Sequence, residues 1–597
     1  MARTRPLAGI GLVCIGALVA FGCGGSSSSD DPDAAVGGVD SAVGGADSMP
    51  QPHTLTQIVV TPTNTILEVD LNTPASQAFT ATGKYLDGVD EDLTSQVTWT
   101  VANPTVGTMT AATLDVPGFA TATAEVSLVT ATLDTISGDG QITVVAYQQT
   151  GPQQDFFFVL PYQDPAGNQD KPLDFGTDVP AADVFFLMDT TGSMGEEIGN
   201  LQSALTGTVI PGIQAEIADT QFGAGAAEDF PVDGYGSTNA GASCPGALSA
   251  SDQPFELFQE ITSNIASITS AVGSFSAPGG APIGCGEDWP ESNIEALYQV
   301  ATGQGLSGPG GTSVAANSSG IGGVGFRQGT MPIVVQFTDA MSHAPGEMIN
   351  CPEGLFNNNY LGAVAGVAHT RQETKDALNN ICARVVGIAP ILPGGVTPAC
   401  LGQPDLEDFA TATNARVPPQ AWDVPARPAG CAAGQCCTDF NGTGRAPDVD
   451  GLCPLVFRVD DAGTGLGTHV VTGMKMLTRF ATFDVTTEKM GETASTTGVP
   501  LATGTTADFI KNITPVSFTL PPPPPNLPDP TFDATSFQNV TPGTVVNFDV
   551  TAFNDFVEPT NEPQIFRATI RVLAGGCTEL DEREVLILVP PNPIVVD

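Results

Sequence analysis

DVFFLMDTTGSMGEEI, residues 183 to 198, joins an apolar run to a short polar turn and then to acidic, helix-compatible residues. Val184 to Met188 is continuously apolar, the pattern of a strand buried on both faces of a parallel sheet. The run stops at Asp189. Thr190, Thr191, Gly192 and Ser193 are small and polar, and a helix is expected from near Glu196, so the turn sits at the C-terminal end of a strand. In open α/β sheets that is where ligands bind. The spacing of Asp189, Thr191 and Ser193 turns one carboxylate and two hydroxyls to one side, a hard oxygen set that suits Mg²⁺, Mn²⁺ or Ca²⁺ rather than zinc. The same residue types also cap strand-to-helix turns, so the turn alone leaves both readings open.

The pattern D-x-[ST]-x-S resembles the metal-ion-dependent adhesion site of von Willebrand factor A domains, and among them the A-like domain of integrin β subunits. Glu196 and Glu197 stand where that family carries an acidic pair that holds an adjacent ion. EDWPESNIEALYQVATG, from Glu287, resembles the integrin β loop whose D-x-P-E pattern supplies a metal-binding glutamate, here Glu291. GFRQGTMPIVVQFTDAMSHAPGE resembles the next core strand, ending in Asp339 as the family's strand ends in its second acid. The likeness runs from about Phe156 to Phe480. It implies a doubly wound, Rossmann-like α/β domain with a divalent cation, Mg²⁺ or else Mn²⁺ or Ca²⁺, held by Asp189, Thr191, Ser193, Glu291 and Asp339. Glu196 and Glu197 are the candidates for a second ion, though they depart from the family in being Glu rather than Asp, with carboxylates that reach further. Gly286 replaces an Asn that serves a third site in integrins, and that site is not carried over.

Outward from this centre, Met1 to Cys23 reads as an export signal, with Arg3 and Arg5 before the apolar stretch Leu7 to Ala20. ALVAFGC resembles a bacterial lipobox, which would make Cys23 the lipidated N-terminus; ordinary cleavage and secretion is the alternative. Gly25 in place of an Asp agrees with an outer-membrane or cell-surface destination. No later stretch is long and apolar enough for a spanning helix. Residues 24–53, rich in Gly, Ser, Ala and Asp, read as a disordered tether. Residues 54–148 carry short alternating segments between turn signals and are expected to form a β-sandwich. Their order resembles bacterial immunoglobulin-like domains of group 2, with Trp99 as the core aromatic.

The α/β domain is assigned to 149–480. Strands are expected at QFGAGAAED, FELFQEI, PIVVQFTDA, CARVVGIAP and PLVFRVD. Helices are expected around 291–301, where Ile294, Leu297, Val300 and Ala301 form one stripe, around HTRQETKDALNN, near DLEDFATATNA, and from His469 to Phe480. Loops 231–254 and 274–286 interrupt this order near the metal end, and the resemblance to integrin β, where a loop in this part of the domain helps determine ligand specificity, makes them the candidates for that role. Ten cysteines follow Cys23, as disulfides would in an exported chain. The insertion around 400–453 contains CAAGQCCTDFNGTGRAPDVDGLC; with no His inside it and with adjacent Cys436 and Cys437, disulfide stapling is expected rather than zinc.

Residues 481–597 are expected to form a C-terminal β-sandwich, with a Pro-rich spacer at 521–530. Val546, Phe548, Val550 and Ala552 alternate on one face, as do Phe566, Ala568, Ile570 and Val572, and FATFDVTTEKM is a candidate first strand.

The net charge of -46, from 65 acids and 19 bases, disfavours nucleic acid as a partner and favours divalent cations as companions. G-x-S-x-G, H-E-x-x-H and Walker A patterns do not occur, and histidine is confined to His53, His343, His369 and His469. His343, just past Asp339, is expected as an exposed loop residue, with a place behind the metal ligands as the alternative. The expectation is a non-enzymatic, lipid-anchored surface protein that binds an acidic group of a protein or other anionic ligand through its metal, with the membrane reached through its lipid. A structural surface protein with a vestigial site, or less favourably a metal-dependent hydrolase, are the alternatives.

Overall fold

The computed structural model describes residues 52–149, 155–238, 251–351, 357–391, 396–424, 426–521 and 528–594. The export signal, Cys23, nearly all of the tether, Cys244 and most of the proline run lie outside the described residues.

At the centre is a six-stranded sheet built from Ala181–Asp189, Asp219–Ala227, Glu256–Thr262, Met331–Phe337, Arg384–Ile391 and Val456–Asp460. Numbered along the chain, these core strands lie in the order 3-2-1-4-5-6. All neighbours run parallel except the third strand, which is antiparallel at one edge. The order reverses between strands 1 and 4, and that crevice is the topological switch point at which doubly wound sheets bind ligands. Val184 to Met188 are wholly buried, because helices cover both faces of the sheet. The predicted stripe Ile294, Leu297, Val300 and Ala301 is buried on the helix Asn293–Thr302. After the turn Thr190 to Ser193, the helix Gly195–Ala204 passes through a π-turn at Leu205–Val209 into Ile210–Glu216. Pro211, which lacks an amide N–H, stands at the start of that last segment and accounts for the interruption.

The domain boundaries differ from the sequence expectation in one respect. Phe156–Val159 and Gln169–Gly176, read above as part of the α/β domain, pair with strands at the far end of the chain: Phe156–Val159 with Val585 to Leu588, and Gln169–Gly176 with Val545 to Ala552. The C-terminal sandwich is therefore discontinuous, and the α/β domain is inserted into it between Gly176 and Phe483. Its two sheets have six and three strands. The predicted inward faces, Val546 to Ala552 and Phe566 to Val572 in alternation, are buried. FATFDVTTEKM does contribute a strand, Phe483–Gly491, but it is the third to enter the sandwich rather than the first.

One hydrophobic cluster runs from the back of the central sheet into this sandwich, joining Phe186, Phe222, Ile333 and Phe457 to Phe175, Phe537, Phe548 and Ile570. Two further ties lie at the sheet end opposite Asp189. The Glu579 N–H donates to the Gly329 carbonyl at 2.8 Å, and Cys382 is disulfide-bonded to Cys577. Cys351 pairs with Cys400, and the insertion is stapled by Cys431–Cys437 and Cys436–Cys453, as its lack of His implied.

The N-terminal module, Leu55 to Tyr147, has three small sheets around Ile58, Val60, Phe79, Val129, Ile142 and Val144. Phe79 is its fully buried aromatic. Trp99, expected in that role, sits at the margin of the core with its indole N–H donating to the Thr94 carbonyl. Tyr147 stacks on Phe157 at 4.5 Å, which seats this module on the discontinuous sandwich. Among the described residues no helix is long and apolar enough to cross a membrane.

Candidate functional site

The first core strand ends at Asp189, and the Thr190 N–H continues its pairing onto the Ala227 carbonyl. The chain then turns. One oxygen of the Asp189 carboxylate accepts the Thr191 N–H and hydroxyl at 3.0 and 2.7 Å, and the other accepts the Thr338 hydroxyl at 2.7 Å. Thr338 in turn accepts from the Asn293 amide, whose oxygen accepts from Gln336, so a buried polar chain links strand 4 and the helix Asn293–Thr302 to Asp189. Thr338, Asn293 and Gln336 were not anticipated from the sequence. Thr338 precedes Asp339 at the end of an apolar run, the same local signal that marked Asp189.

Asp339 arrives from strand 4. Its Oδ1 accepts the Ser193 hydroxyl at 3.1 Å, and its own carbonyl accepts from the Gly402 N–H at 2.8 Å. Glu291 arrives from the loop before the helix Asn293–Thr302. Its N–H donates to the Met341 carbonyl and its carbonyl accepts from the His343 N–H. Its carboxyl lies within hydrogen-bonding reach of Thr191, which holds its pKa down against the larger upward effects described below. Gly286 has a φ of +59°, and a Cβ there would lie 2.8 Å from Glu291 Oε1, so the small residue leaves room for that carboxylate. The loop 284–286 is fixed by Asp252, which accepts the N–H groups of Cys285 and Gly286 at 3.0 Å each and that of Ser237 at 2.8 Å. Part of the loop 274–286 lies beside the turn after strand 1, the Gly284 N–H donating to the Thr190 carbonyl at 2.9 Å.

The five residues expected to hold the primary ion therefore meet at the switch point. Asp189, Thr191, Glu291 and Asp339 are buried, while Gly192 and Ser193 face solvent. Glu291 Oε2 and Asp339 Oδ2 are buried without a hydrogen-bond partner. Burial pushes the Asp189 carboxyl up. Burial, then the charges of Asp189 and Asp229, push Glu291 well above the carboxylate range, and burial together with Asp189 raises Asp339 to about 7. No lysine or arginine offsets these charges among the described residues. Such a set fits a hard divalent cation: it supplies oxygens only, and its orphaned oxygens are those a cation would satisfy.

The candidates for a second ion separate. Glu196 points to solvent, whereas Glu197 is buried with Oε1 unpartnered. Burial raises the Glu197 pKa to about 8, with the charges of Asp339, Glu196 and Asp461 adding to it. Asp461, just past the sixth strand, was not anticipated.

His343 is not the exposed loop residue expected. It is 1% exposed, with Nε2 3.4 Å from Asp229 and 3.3 Å from Asp288. Asp229, His343 and Asp288 are the tightest trio of potential ligands among the described residues; Asp189, Glu291 and Asp339 are more widely spread around the threonine and serine hydroxyls. Asp229 follows the second core strand, which ends at Ala227, whereas Asp189 is the last residue of the first.

No protein-family model matches the chain, and no curated protein matches it. Among solved structures, the pilus adhesin SpaC from Lactobacillus rhamnosus GG, in an open conformation, is similar at 12% identity. That match covers 75% of this chain and 49% of the adhesin, with a TM-score of 0.28. The von Willebrand factor type A protein from Catenulispora acidiphila is similar at 10% identity, over 73% of this chain and 72% of that one, with a TM-score of 0.25. The chain thus spans about half the length of the adhesin. At such scores neither likeness bears on function, and the assignment rests on the strand order and the cluster just described.

Proposed function

We propose that this chain is a surface protein whose inserted α/β domain binds an anionic oxygen, an Asp or Glu of a protein partner or another acidic ligand. The binding centre is a divalent-cation site of the adhesion type formed by Asp189, Thr191, Ser193, Glu291 and Asp339. The observation that carries this reading is the meeting of three buried carboxylates from separate chain segments, with Glu291 Oε2 and Asp339 Oδ2 orphaned and no lysine or arginine among the described residues to balance them. A cation held there would offer a partner's carboxylate a positively charged, incompletely filled coordination position.

The residues divide the work. Both oxygens of Asp189 are engaged by hydroxyls, so it acts chiefly through Thr191 and Thr338. Ser193 is on the solvent side and Glu291 on the buried side, which leaves the approach open from solvent. Glu196 and Glu197 remain candidates for an adjacent ion, with Asp461 beside Glu197. Binding without turnover is the reading, since the ring of His343 is enclosed between Asp229 and Asp288 rather than free as a general base. The N-terminal signal with Cys23 supports a lipid-anchored envelope location, and the disulfides fit an oxidising compartment.

The test is calorimetric titration of the purified chain with Mg²⁺, Mn²⁺ and Ca²⁺, wild type against Asp189→Ala. It is paired with water-proton relaxation of the Mn²⁺ form as glutarate or an Asp-containing peptide is added. Saturable cation binding lost in the variant, and relaxation that falls as the carboxylate displaces water, are expected. Equal heats in both proteins would leave a structural surface protein with a vestigial site.

A further inference from the structure

Behind Glu291 lies a closed arrangement of side chains that the cation site does not itself use. The ring of His343 stacks on Tyr360 with centroids 4.4 Å apart and meets Tyr235 edge-on at 5.1 Å. On one side it faces Asp229, whose Oδ1 accepts the Tyr360 hydroxyl at 2.6 Å and the Ser292 hydroxyl at 3.2 Å. On the other side it faces Asp288. Asp288 and Ser292 flank Glu291 in the chain, so the ring touches the loop just before Glu291 and, through Asp229, the residue just after it. The backbone of His343 is joined to the same loop, its N–H donating to the Glu291 carbonyl at 2.8 Å. Among the described residues, His343 is the only basic side chain paired with Asp229 or Asp288. Without it, two carboxylates that both act on Glu291 would face each other uncompensated.

We propose that His343 is a positioning residue of the candidate cation site: its ring, clasped between Asp229 and Asp288, holds segment 287–292 so that the Glu291 carboxylate faces Thr191. This rests on the reading of the cluster as a cation site. Orienting groups behind metal ligands typically change affinity by about 10- to 100-fold when removed. His343→Phe keeps a ring to stack on Tyr360 but no donor for the two carboxylates; His343→Gln keeps a donor and gives up the ring.

Mn²⁺ titration of wild type and both variants reads the effect. His343→Phe is expected to weaken binding by about tenfold or more, and His343→Gln to recover most of that loss. Wild-type affinity in the Phe variant overturns the proposal. So does Mn²⁺ density bonded to His343 Nε2 in a crystal, which would make the residue a ligand. A cation-free readout separates this claim from the cation reading. Exchange of the Glu291 amide, which donates to Met341, should quicken in His343→Phe and return towards wild type in His343→Gln. Unchanged protection overturns the proposal whether or not Mn²⁺ binds. If the Phe variant does not fold, Asp288→Asn, which opens the same clasp from the other side, is expected to give the same change, and its failure to do so counts equally against the proposal.

Discussion

The Ser193 hydroxyl donates to Asp339 across the switch point of the sheet, 3.1 Å between oxygens whose residues lie 146 apart in the chain. The bond joins the turn after strand 1 to the end of strand 4. Those are the two strands between which a doubly wound sheet opens, and Glu291 closes the third side.

Asp339→Asn tests that junction. It keeps an acceptor for Ser193 but removes a buried charge that no lysine or arginine among the described residues balances. The variant should lose cation binding by about tenfold or more, yet be more stable than wild type in metal-free buffer at pH 8. Thermal melts with and without Mg²⁺ check both, and destabilisation without metal would count against the assigned burial of charge.

The pH dependence has a definite sign. Asp339 rises from 3.8 to about 7 and Glu197 from 4.5 to about 8, so the folded chain holds more protons than the unfolded one between those values. Stability of the metal-free protein is then highest near the unfolded values, declines as pH rises, and stops declining from this cause above about 8. Saturating Mg²⁺ holds the carboxylates ionised and should flatten or reverse the decline. Melting temperatures at pH 5.5, 7 and 8.5 report it; a metal-free profile that rises throughout would contradict this assignment.

Gly286→Ala places a methyl against Glu291 Oε1 and forces a side chain into a φ of +59°. The left-handed conformation costs about 1–2 kcal/mol, and the displaced carboxylate should weaken cation binding beyond what that loss of stability explains. A titration heat identical to wild type would show that Glu291 is not where the ion is held.

Much of this was legible locally. The run Val184 to Met188 stopping at Asp189, the stripe on the helix Asn293–Thr302 and the His-free cysteine patch each carry their meaning within a few residues. The discontinuous sandwich was not. FFFV at 156–159 pairs with residues more than 400 positions away, and alternation says nothing about which distant strand a segment joins. His343 was misjudged for the same reason: its burial comes from Tyr360, Asp229 and Asp288, which no local window brings together.

The tie Cys382–Cys577 joins the inserted domain to the sandwich hairpin across a sequence separation of 195. Replacing both cysteines with serine should cost on the order of 2–4 kcal/mol. Calorimetry is expected to resolve separate unfolding of the two domains where wild type melts as one. A single transition at the wild-type temperature would show that the shared apolar cluster alone couples them.

The most direct measurement is anomalous diffraction from crystals grown with Mn²⁺. The account predicts a peak about 2.2 Å from the hydroxyl oxygens of Thr191 and Ser193 and from a carboxylate oxygen of Glu291, with Asp339 within reach of its bound waters. Full-occupancy Mn²⁺ elsewhere, with none at that turn, would contradict it.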